Sequence, residues 1–203
     1  MVINIDLAGF FPSISAERVR KAFQAHGWNK QVATLLTSIC THEGQLPQGA
    51  PTSPALSNLI CRRLDTRLAS LAAKLGGQFT RYADDITLSF PRFGGSTHHE
   101  PKESSRSHAR TVSRKVLATV KAIIEEEGFK IQWKKKVRAQ RAHQQQTATG
   151  LVVNNKVDLP RAVRRRIRAM QHGERKGTLG TKEKQRLRGW ESVLAMVAHQ
   201  RGG

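Results

Sequence analysis

The feature that most constrains this chain is a pair of adjacent aspartates, Asp84 and Asp85, set between two segments that favour β-strands. Aromatic and β-branched residues are frequent throughout residues 79–90, and such residues are enriched in strands. A tight connection at residues 83–85 would form a hairpin with both acids at its tip. Because adjacent charges repel, such a pair is kept most readily where solvent or cations relieve the repulsion. An isolated Asp-Asp pair is usually a solvated turn, so a functional interpretation needs a third acid.

That third acid is Asp6, which follows a short apolar segment and precedes a turn of small residues and two aromatics. Three carboxylates at strand ends could hold two divalent cations roughly 4 Å apart, as in in-line phosphoryl transfer. Magnesium suits oxygen ligands and keeps waters or substrate phosphates as its remaining ligands. The alternative for Asp6 is a helix cap, but Ser15 fits that role better because it directly precedes a helical segment.

Three segments together resemble the core palm motifs of reverse transcriptases, in the same order and with similar spacing. They are residues 5–11 (IDLAGFF), 46–54 (LPQGAPTSP) and 82–85 (YADD). The resemblance is strongest to bacterial enzymes of the retron and group II intron type. It implies an RNA-directed DNA polymerase, a nucleotidyltransferase that uses two Mg²⁺ ions, for which Mn²⁺ is a possible substitute.

The resemblance also implies roles for individual residues. Asp6, Asp84 and Asp85 would be catalytic, and together with Leu7 they would bind the metal ions. The residues expected to contact the incoming deoxynucleoside triphosphate are Gly9, Phe10, Phe11, Gln48, Gly49 and Lys135. The residues expected to contact RNA or the DNA primer and product are Arg81, Tyr82, Thr149, Gly150, Arg161, Arg164, Arg165 and Arg168.

Within the nucleotide set, the resemblance places Phe11 under the sugar, where a bulky ring would exclude a 2′-hydroxyl and select deoxynucleotides. The alternative is that both phenylalanines are core residues, and for the ring of Phe10 we expect this.

Gly49 allows close backbone approach and Gln48 offers a donor and an acceptor. Three prolines and a glycine in residues 45–54 exclude regular structure, so an ordinary proline-rich loop is the alternative there.

Two later segments extend the resemblance. Residues 128–136 resemble the next palm motif, a strand ending in lysines, in which Lys135 aligns with the lysine that approaches the triphosphate. Lys136 stands where the family has a threonine, and a backbone-phosphate contact is the alternative role for Lys135.

Residues 147–154 are predicted to form a strand that turns at residues 154–155. They resemble the Val-Thr-Gly segment that holds the noncoding RNA of retron enzymes, with Ala148 in place of the valine.

Charge is distributed unevenly along the chain. The net charge is +20, with a pI near 11.2, yet residues 1–90 hold 9 Lys/Arg against 6 Asp/Glu while residues 91–203 hold 26 against 9. A strongly basic balance favours a nucleic acid partner, with an anionic membrane surface as the weaker alternative. The helix predicted to begin at Pro160 would present on one face Arg161, Arg164, Arg165 and Arg168.

Apolar residues at helical spacing predict helices over residues 15–26, 30–41, 110–127 and 181–198, and a longer one from residues 52–54 to Gly76. Residues 91–108 are polar and rich in Gly, Ser and His, so a surface loop is predicted there. His98, His99 and Glu100 could suggest a metal site, but a solvated loop is the prediction.

We therefore predict an α+β fold, with an antiparallel palm sheet packed by helices in residues 1–158 and a basic, helical, thumb-like segment in residues 159–203. No apolar run reaches the roughly 18 residues of a membrane span, and we expect neither a membrane helix nor a signal peptide. Cys40 and Cys61 are expected to be buried, reduced thiols, which favours a cytoplasmic location.

Family members carry a fingers region before the first acid motif, and here Asp6 stands close to the start. The fingers are expected to be truncated or supplied by a separate polypeptide, so the isolated chain is expected to be weakly active or inactive. RNA-directed DNA synthesis of the retron type is the predicted function. The alternatives are a catalytically silent RNA-binding module and a template-independent or antiviral-defence polymerase on the same palm.

Overall fold

The computed structural model describes residues 1–91, 103–133, 138–140, 144–154 and 156–199. Helices combine with a small antiparallel sheet, which confirms the predicted α+β class. The chain divides into two compact units, Met1–Ala139 and Gln140–Gly203. The division into a palm (residues 1–158) and a thumb-like segment (residues 159–203) remains a prediction.

The elements follow one another along the chain as β1 (Val2–Asp6), α1 (Ala16–Ala25), α2 (Lys30–Cys40), α3 (Ser53–Ile60), α4 (Arg62–Lys74), β2 (Gln78–Tyr82), β3 (Asp85–Ser89), α5 (Glu103–Glu126), β4 (Arg138–Gln140), β5 (Thr147–Ala148), β6 (Leu151–Val152), α6 (Arg161–Arg175) and α7 (Thr181–His199).

The sheet of the first unit has the strand order β2-β3-β1-β4. Strand β3 is antiparallel to both of its described neighbours, and Val2 and Gln78 both lie opposite Ser89. At the other end of the strand, Asp6 and Tyr82 both lie opposite Asp85. The end of β1 and the β2–β3 hairpin therefore meet at one edge of the sheet.

The core of the first unit joins this sheet to helices α4 and α5. Three consecutive residues of β3, from Ile86 to Leu88, are buried, as expected of a strand covered on both faces. The following core side chains are at most 1% exposed: Ile3, Ile5, Leu64, Leu68, Ile86, Leu88, Val120 and Ile124. Their burial anchors the strands that carry the acids.

The predicted helices are confirmed within a few residues, except at the start of α5 and in the long helix after residues 52–54. Ser15 caps α1 as expected, because its side chain accepts a hydrogen bond from the Arg18 amide at 3.3 Å. The long helix predicted from residues 52–54 to Gly76 is instead two helices, α3 and α4, which meet at Cys61. The Ser57 hydroxyl donates to the Pro54 carbonyl at 2.8 Å, four residues before this break.

The prediction of a loop over residues 91–108 is wrong for residues 103–108, which belong to α5. The apolar residues at helical spacing begin only at Val112, so their periodicity did not reveal the first turns of α5. Residues 92–102, including His98, His99 and Glu100, lie outside the described residues.

The second unit contains the β5–β6 hairpin and the helices α6 and α7. The single strand predicted over residues 147–154 is wrong, because the chain already reverses at Thr149 and Gly150, where φ is +45° and +84°. Two adjacent residues with positive φ suit a tight hairpin turn. The core of the helical part is formed by Leu159, Ile167 and Leu187, with Val163, Met170, Leu179, Trp190, Val193 and Leu194 packed around it.

Cys61 is fully buried and Cys40 is half-buried, and both are free thiols. Burial raises the pKa of the Cys61 thiol to about 11, so it remains protonated at neutral pH. In the part of the chain that the structure describes, no helix is both long and apolar enough to cross a membrane.

Candidate active site

Three aspartates lie at the sheet edge where β1 ends and the β2–β3 hairpin turns. Asp6 is directly opposite Asp85 in the β1–β3 register, so their side chains leave the same face of the sheet, with Cβ atoms about 5 Å apart. Asp84 lies in the two-residue turn directly before Asp85, and its carbonyl accepts a hydrogen bond from the Leu7 amide at 3.0 Å. Strand register thus brings together the three acids that the sequence singles out.

The chemistry of these side chains fits a divalent cation that prefers oxygen. Asp6 and Asp84 are half-buried and Asp85 is exposed, and Asp6 and Asp85 have further interactions within the chain. Carboxylate oxygens are the protein ligands that Mg²⁺ uses, while waters or substrate phosphates complete its coordination. Within the described residues, no group of three or more His, Cys, Asp or Glu side chains is arranged to hold a metal ion. The fit to Mg²⁺ rests on the chemistry of the three carboxylates and on the strand register that sets Asp6 opposite Asp85.

The turn that carries Asp84 contains an unusual backbone conformation. Ala83 has a φ of +51°, which costs an L-residue with a β-carbon about 1 kcal/mol. The favoured two-residue hairpin turns require positive φ at their first central residue, and they usually place Gly, Asn or Asp there. The alanine is therefore held in this conformation by its surroundings.

One neighbour that holds the turn is Arg81, which with Phe79 forms the inward-facing side of β2. Its Nη1 donates to the Ala83 carbonyl at 3.1 Å, and its Nε and Nη2 donate to the two carboxylate oxygens of Asp65 at 2.7 and 2.8 Å. Burial acts to lower the pKa of Arg81, but the bonds to Asp65 raise it above its ordinary value. The sequence predicts that Arg81 contacts nucleic acid, whereas the structure surrounds its guanidinium with internal partners.

The residues expected to contact the nucleotide lie in two loops and one segment outside the described residues. Phe10 is only 4% exposed, which confirms the expected core position of its ring. Phe11 is half-buried and Gly9, Gln48 and Gly49 are exposed.

The loop that carries Gln48 and Gly49 is tied to the core of the first unit. The Leu46 amide donates to the Ile14 carbonyl at 3.0 Å, and the Ser53 hydroxyl donates to the Pro47 carbonyl at 2.7 Å. Gly49 has a φ of +90°, a conformation that glycine adopts without strain. Lys135 lies outside the described residues.

Of the residues expected to contact nucleic acid, Tyr82 is the most exposed in the first unit, at 75%. In the second unit, Thr149 and Gly150 form the exposed tip of the β5–β6 hairpin. The exposed residues of α6 include the four predicted arginines, Arg161, Arg164, Arg165 and Arg168.

Two features were missed from the sequence. The first is the pairing of Arg81 with Asp65, a residue of α4 that no motif marks; the helical position of Asp65 near the start of α4 was its only signal. The second is an open pocket of about 300 Å³ in the second unit, lined in part by Gln144, Asn154 and Arg161. Arg164, also in its wall, pairs with Asp158 at 3.0 Å.

Comparison with known proteins finds relatives that match the first unit and much or all of the second. A family model described as reverse transcriptase (RNA-dependent DNA polymerase) matches residues 1–153. The chain is 32% identical over 228 residues to the retron Mx162 reverse transcriptase of Myxococcus xanthus, a match that covers 100% of this chain and 45% of the relative. It is 37% identical over 197 residues to the retron Ec86 reverse transcriptase of Escherichia coli, covering 97% of this chain and 55% of the relative.

A third relative, the retron Mx65 reverse transcriptase of Myxococcus xanthus, is 36% identical over 192 residues, which cover 86% of this chain and 41% of that protein. The chain thus spans about half the length of the curated relatives that it matches.

Proposed function

The chain belongs to the reverse transcriptase family, and from this premise we propose that it performs RNA-templated DNA synthesis as the palm and part of the thumb of a retron-type enzyme. The observation that carries the proposal is the strand register that sets Asp6 opposite Asp85 and Asp84 in the adjoining turn. The match of the family model to residues 1–153 supports it independently.

In the proposed reaction, the 3′-hydroxyl of the primer attacks the α-phosphate of a deoxynucleoside triphosphate. A phosphodiester bond forms and pyrophosphate leaves. When bound, two Mg²⁺ ions, or Mn²⁺ in their place, would lower the pKa of the attacking hydroxyl and stabilise the charge that develops on phosphorus. Asp6 and Asp84 would hold the two ions, with Leu7 beside them, and Asp85 would support the site.

The loops beside these acids would hold the nucleotide. Phe11, half-buried against the ring of Phe10, would pack under the sugar and exclude a 2′-hydroxyl. Gly9 and Gly49, both exposed and with positive φ, would allow close backbone approach, and Gln48 would add a side-chain hydrogen bond. We assign the contact with the triphosphate to Lys135.

The exposed basic residues of the second unit would bind the noncoding RNA, the template or the DNA product. Arg161, Arg165 and Arg168 are exposed on α6, where contacts with backbone phosphates would release counterions. Thr149 and Gly150 offer a protruding hairpin tip, and Tyr82 offers an exposed ring beside the acids. A role in antiviral defence would follow from a retron partnership of this kind.

The experiment that tests the proposal asks whether the template dictates the product. The chain is incubated with Mg²⁺, a primed RNA of defined sequence and one labelled deoxynucleotide at a time. We expect incorporation only of the nucleotide complementary to the next template base. A homopolymer made without template would support the template-independent alternative and overturn the proposal.

The second candidate is an RNA-binding module without catalysis, which the concentration of positive charge in residues 91–203 favours. Such a module would bind RNA in a salt-sensitive way, and its binding would be unchanged by Asp84→Asn and Asp85→Asn. RNA binding without template-directed incorporation, both by the chain alone and with a fingers region supplied, would decide for this candidate.

A further inference from the structure

Arg81 is enclosed by protein although its neighbour in the chain is exposed. Its side chain is 3% exposed, whereas Tyr82 is 75% exposed. A guanidinium is stable at such a position only when its donors are matched and its charge is paired. The two bonds to Asp65, at 2.7 and 2.8 Å, form the bidentate pair that fits the planar fork of arginine.

The same guanidinium reaches three other parts of the first unit. Its Nη2 also donates to Asn58 Oδ1 on α3 at 3.1 Å, and its Nη1 donates to the Ala83 carbonyl at 3.1 Å. Its central carbon lies 5.8 Å from the centre of the Phe10 ring. Arg81 thereby connects two helices, the ring behind Phe11 and the backbone of the turn.

The turn is held from two sides. On one side the Leu7 amide donates to the Asp84 carbonyl at 3.0 Å, which ties the turn to β1. On the other side Arg81 bonds the carbonyl of Ala83, a non-glycine residue in the left-handed region. A conformation of this kind persists when its surroundings over-determine it, and these two bonds are such surroundings.

We propose that Arg81, itself held by Asp65 and Asn58, is a positioning residue that fixes the Ala83–Asp84 turn and so directs the Asp84 carboxylate in the proposed polymerase reaction. The proposal rests on the proposed function. Arg81 touches no reacting atom in it and acts only through the turn. Lysine cannot replace it, because a single ammonium on a flexible stem cannot bond Asp65, Asn58 and the Ala83 carbonyl in one fixed geometry.

The test compares Arg81→Lys with Arg67→Lys. Arg67 is a matched control because its guanidinium is also paired with acids: it lies on α4 and pairs with Glu126 and with Glu127, the latter at 2.7 Å. Both variants keep the positive charge, and each removes a guanidinium that makes more than one bond to carboxylates. Of the two, only Arg81 bonds the turn.

Two measurements are made on the whole chain. In primer extension, Arg81→Lys is expected to lower kcat on the order of a hundredfold, the effect that a misplacement of about 1 Å produces, while the KM for the deoxynucleotide changes little. In amide hydrogen exchange without substrate, exchange is expected to accelerate by about tenfold at residues 82–86, because one hydrogen bond to the turn is removed. Arg67→Lys is expected to leave both quantities within about twofold of the parent chain.

The two measurements separate this proposal from the proposed function. If the parent chain makes no template-directed product, either alone or with a fingers region supplied, the proposed function fails, and hydrogen exchange still tests the role of Arg81. Faster exchange confined to residues 82–86 supports the positioning role. Unchanged exchange at the turn, or an equal acceleration throughout β1 and β3, overturns it.

A milder variant keeps the test decisive if Arg81→Lys does not fold. Asn58→Ala removes one bond to the guanidinium from an exposed position on α3, so the core is untouched. Faster exchange at residues 82–86 with an unchanged thermal midpoint supports the proposal. Exchange identical to that of the parent chain contradicts it.

Discussion

The ring of Phe11 lies edge-on to the ring of Phe10, with their centroids 5.2 Å apart. Phe10 in turn packs against Phe129, with centroids 5.6 Å apart. Because Phe10 and Phe129 are buried and Phe11 is half-buried, the buried pair forms a support behind a ring that still presents surface. This arrangement separates a structural aromatic from one that is available to a substrate.

Phe11→Ala is expected to weaken the selection against ribonucleotides. Removing the ring would open the space that a 2′-hydroxyl needs, so the ratio of kcat/KM for ribonucleotide over deoxynucleotide should rise by about tenfold or more, equivalent to about 1.4 kcal/mol. The measurement is single-nucleotide incorporation with each sugar in turn.

The control for that prediction is Phe10→Leu, which should lower the free energy of unfolding by about 1 kcal/mol and leave sugar selectivity unchanged. An unaltered ratio in Phe11→Ala, or an equal change in both variants, would show that Phe11 is a core residue like Phe10.

Gly77→Ala is expected to destabilise the first unit. A β-carbon at Gly77 would lie 2.4 Å from a ring carbon of Phe90 and 2.5 Å from the Ser89 carbonyl oxygen, and the backbone atom cannot move aside without disturbing β3. We expect a decrease of about 1–3 kcal/mol in the free energy of unfolding, measured by urea denaturation.

Gly189→Ala in α7 is the matched control, because nothing lies within 4 Å of a β-carbon there. Replacing an unhindered helical glycine by alanine should stabilise by about 0.5–1 kcal/mol. The same sign of change in both variants would refute the close approach of Gly77 to β3.

The thiol of Cys61 is expected to resist alkylation in the folded chain. Burial raises its pKa from 9.0 to about 11, so at pH 8 almost none of it is the reactive thiolate. Its raised pKa also makes the folded state lose stability as pH rises from about 9 towards 11, because the unfolded thiol ionises first.

The readout is the rate of modification by iodoacetamide at pH 8, with the modified residue identified by mass spectrometry. Half-buried Cys40 serves as the internal comparison and should react first. Equal rates at the two cysteines before unfolding would contradict the burial of Cys61.

Arginines on α6 are expected to set the salt dependence of RNA binding. Removing one phosphate contact with a single strand should reduce the slope of log K against log salt by about 0.7, so the double variant Arg165→Ala, Arg168→Ala should reduce it by about 1.4. Arg63→Ala is the control, since Arg63 pairs with Glu127 at 3.1 Å in the first unit. A slope that changes equally in both would place the binding surface elsewhere.

Much of this architecture follows from local pattern. The β-prone segments around Asp84 and Asp85 predict the hairpin, and the helix that begins after Ser15 is predicted by its cap. The motif order predicts that Asp6 joins the pair, but only the register shows that it faces Asp85 and not Asp84. Register depends on how strands from distant parts of the chain pack, which spacing within one segment cannot report.

The sequence-based predictions that the structure corrects failed because local patterns show neither a break inside an apolar stripe nor the packing between distant parts of the chain. The break between α3 and α4 at Cys61 lies inside a continuous apolar stripe, so a count of apolar positions does not detect it. The partner of Arg81 lies 16 residues away on α4, and exposure is what a lone arginine before an acid motif would suggest. The packing of α4 against β2 buries the Arg81 side chain instead.

The most direct test of the central claim is template-directed primer extension by the chain as it stands, compared with Asp84→Asn and with Glu125→Gln, a change to an exposed acid of α5. We expect template-directed extension by the parent chain, a decrease on the order of a thousandfold in Asp84→Asn, and no change in Glu125→Gln. Extension by Asp84→Asn at the parental rate would contradict the assignment of catalysis to the three aspartates.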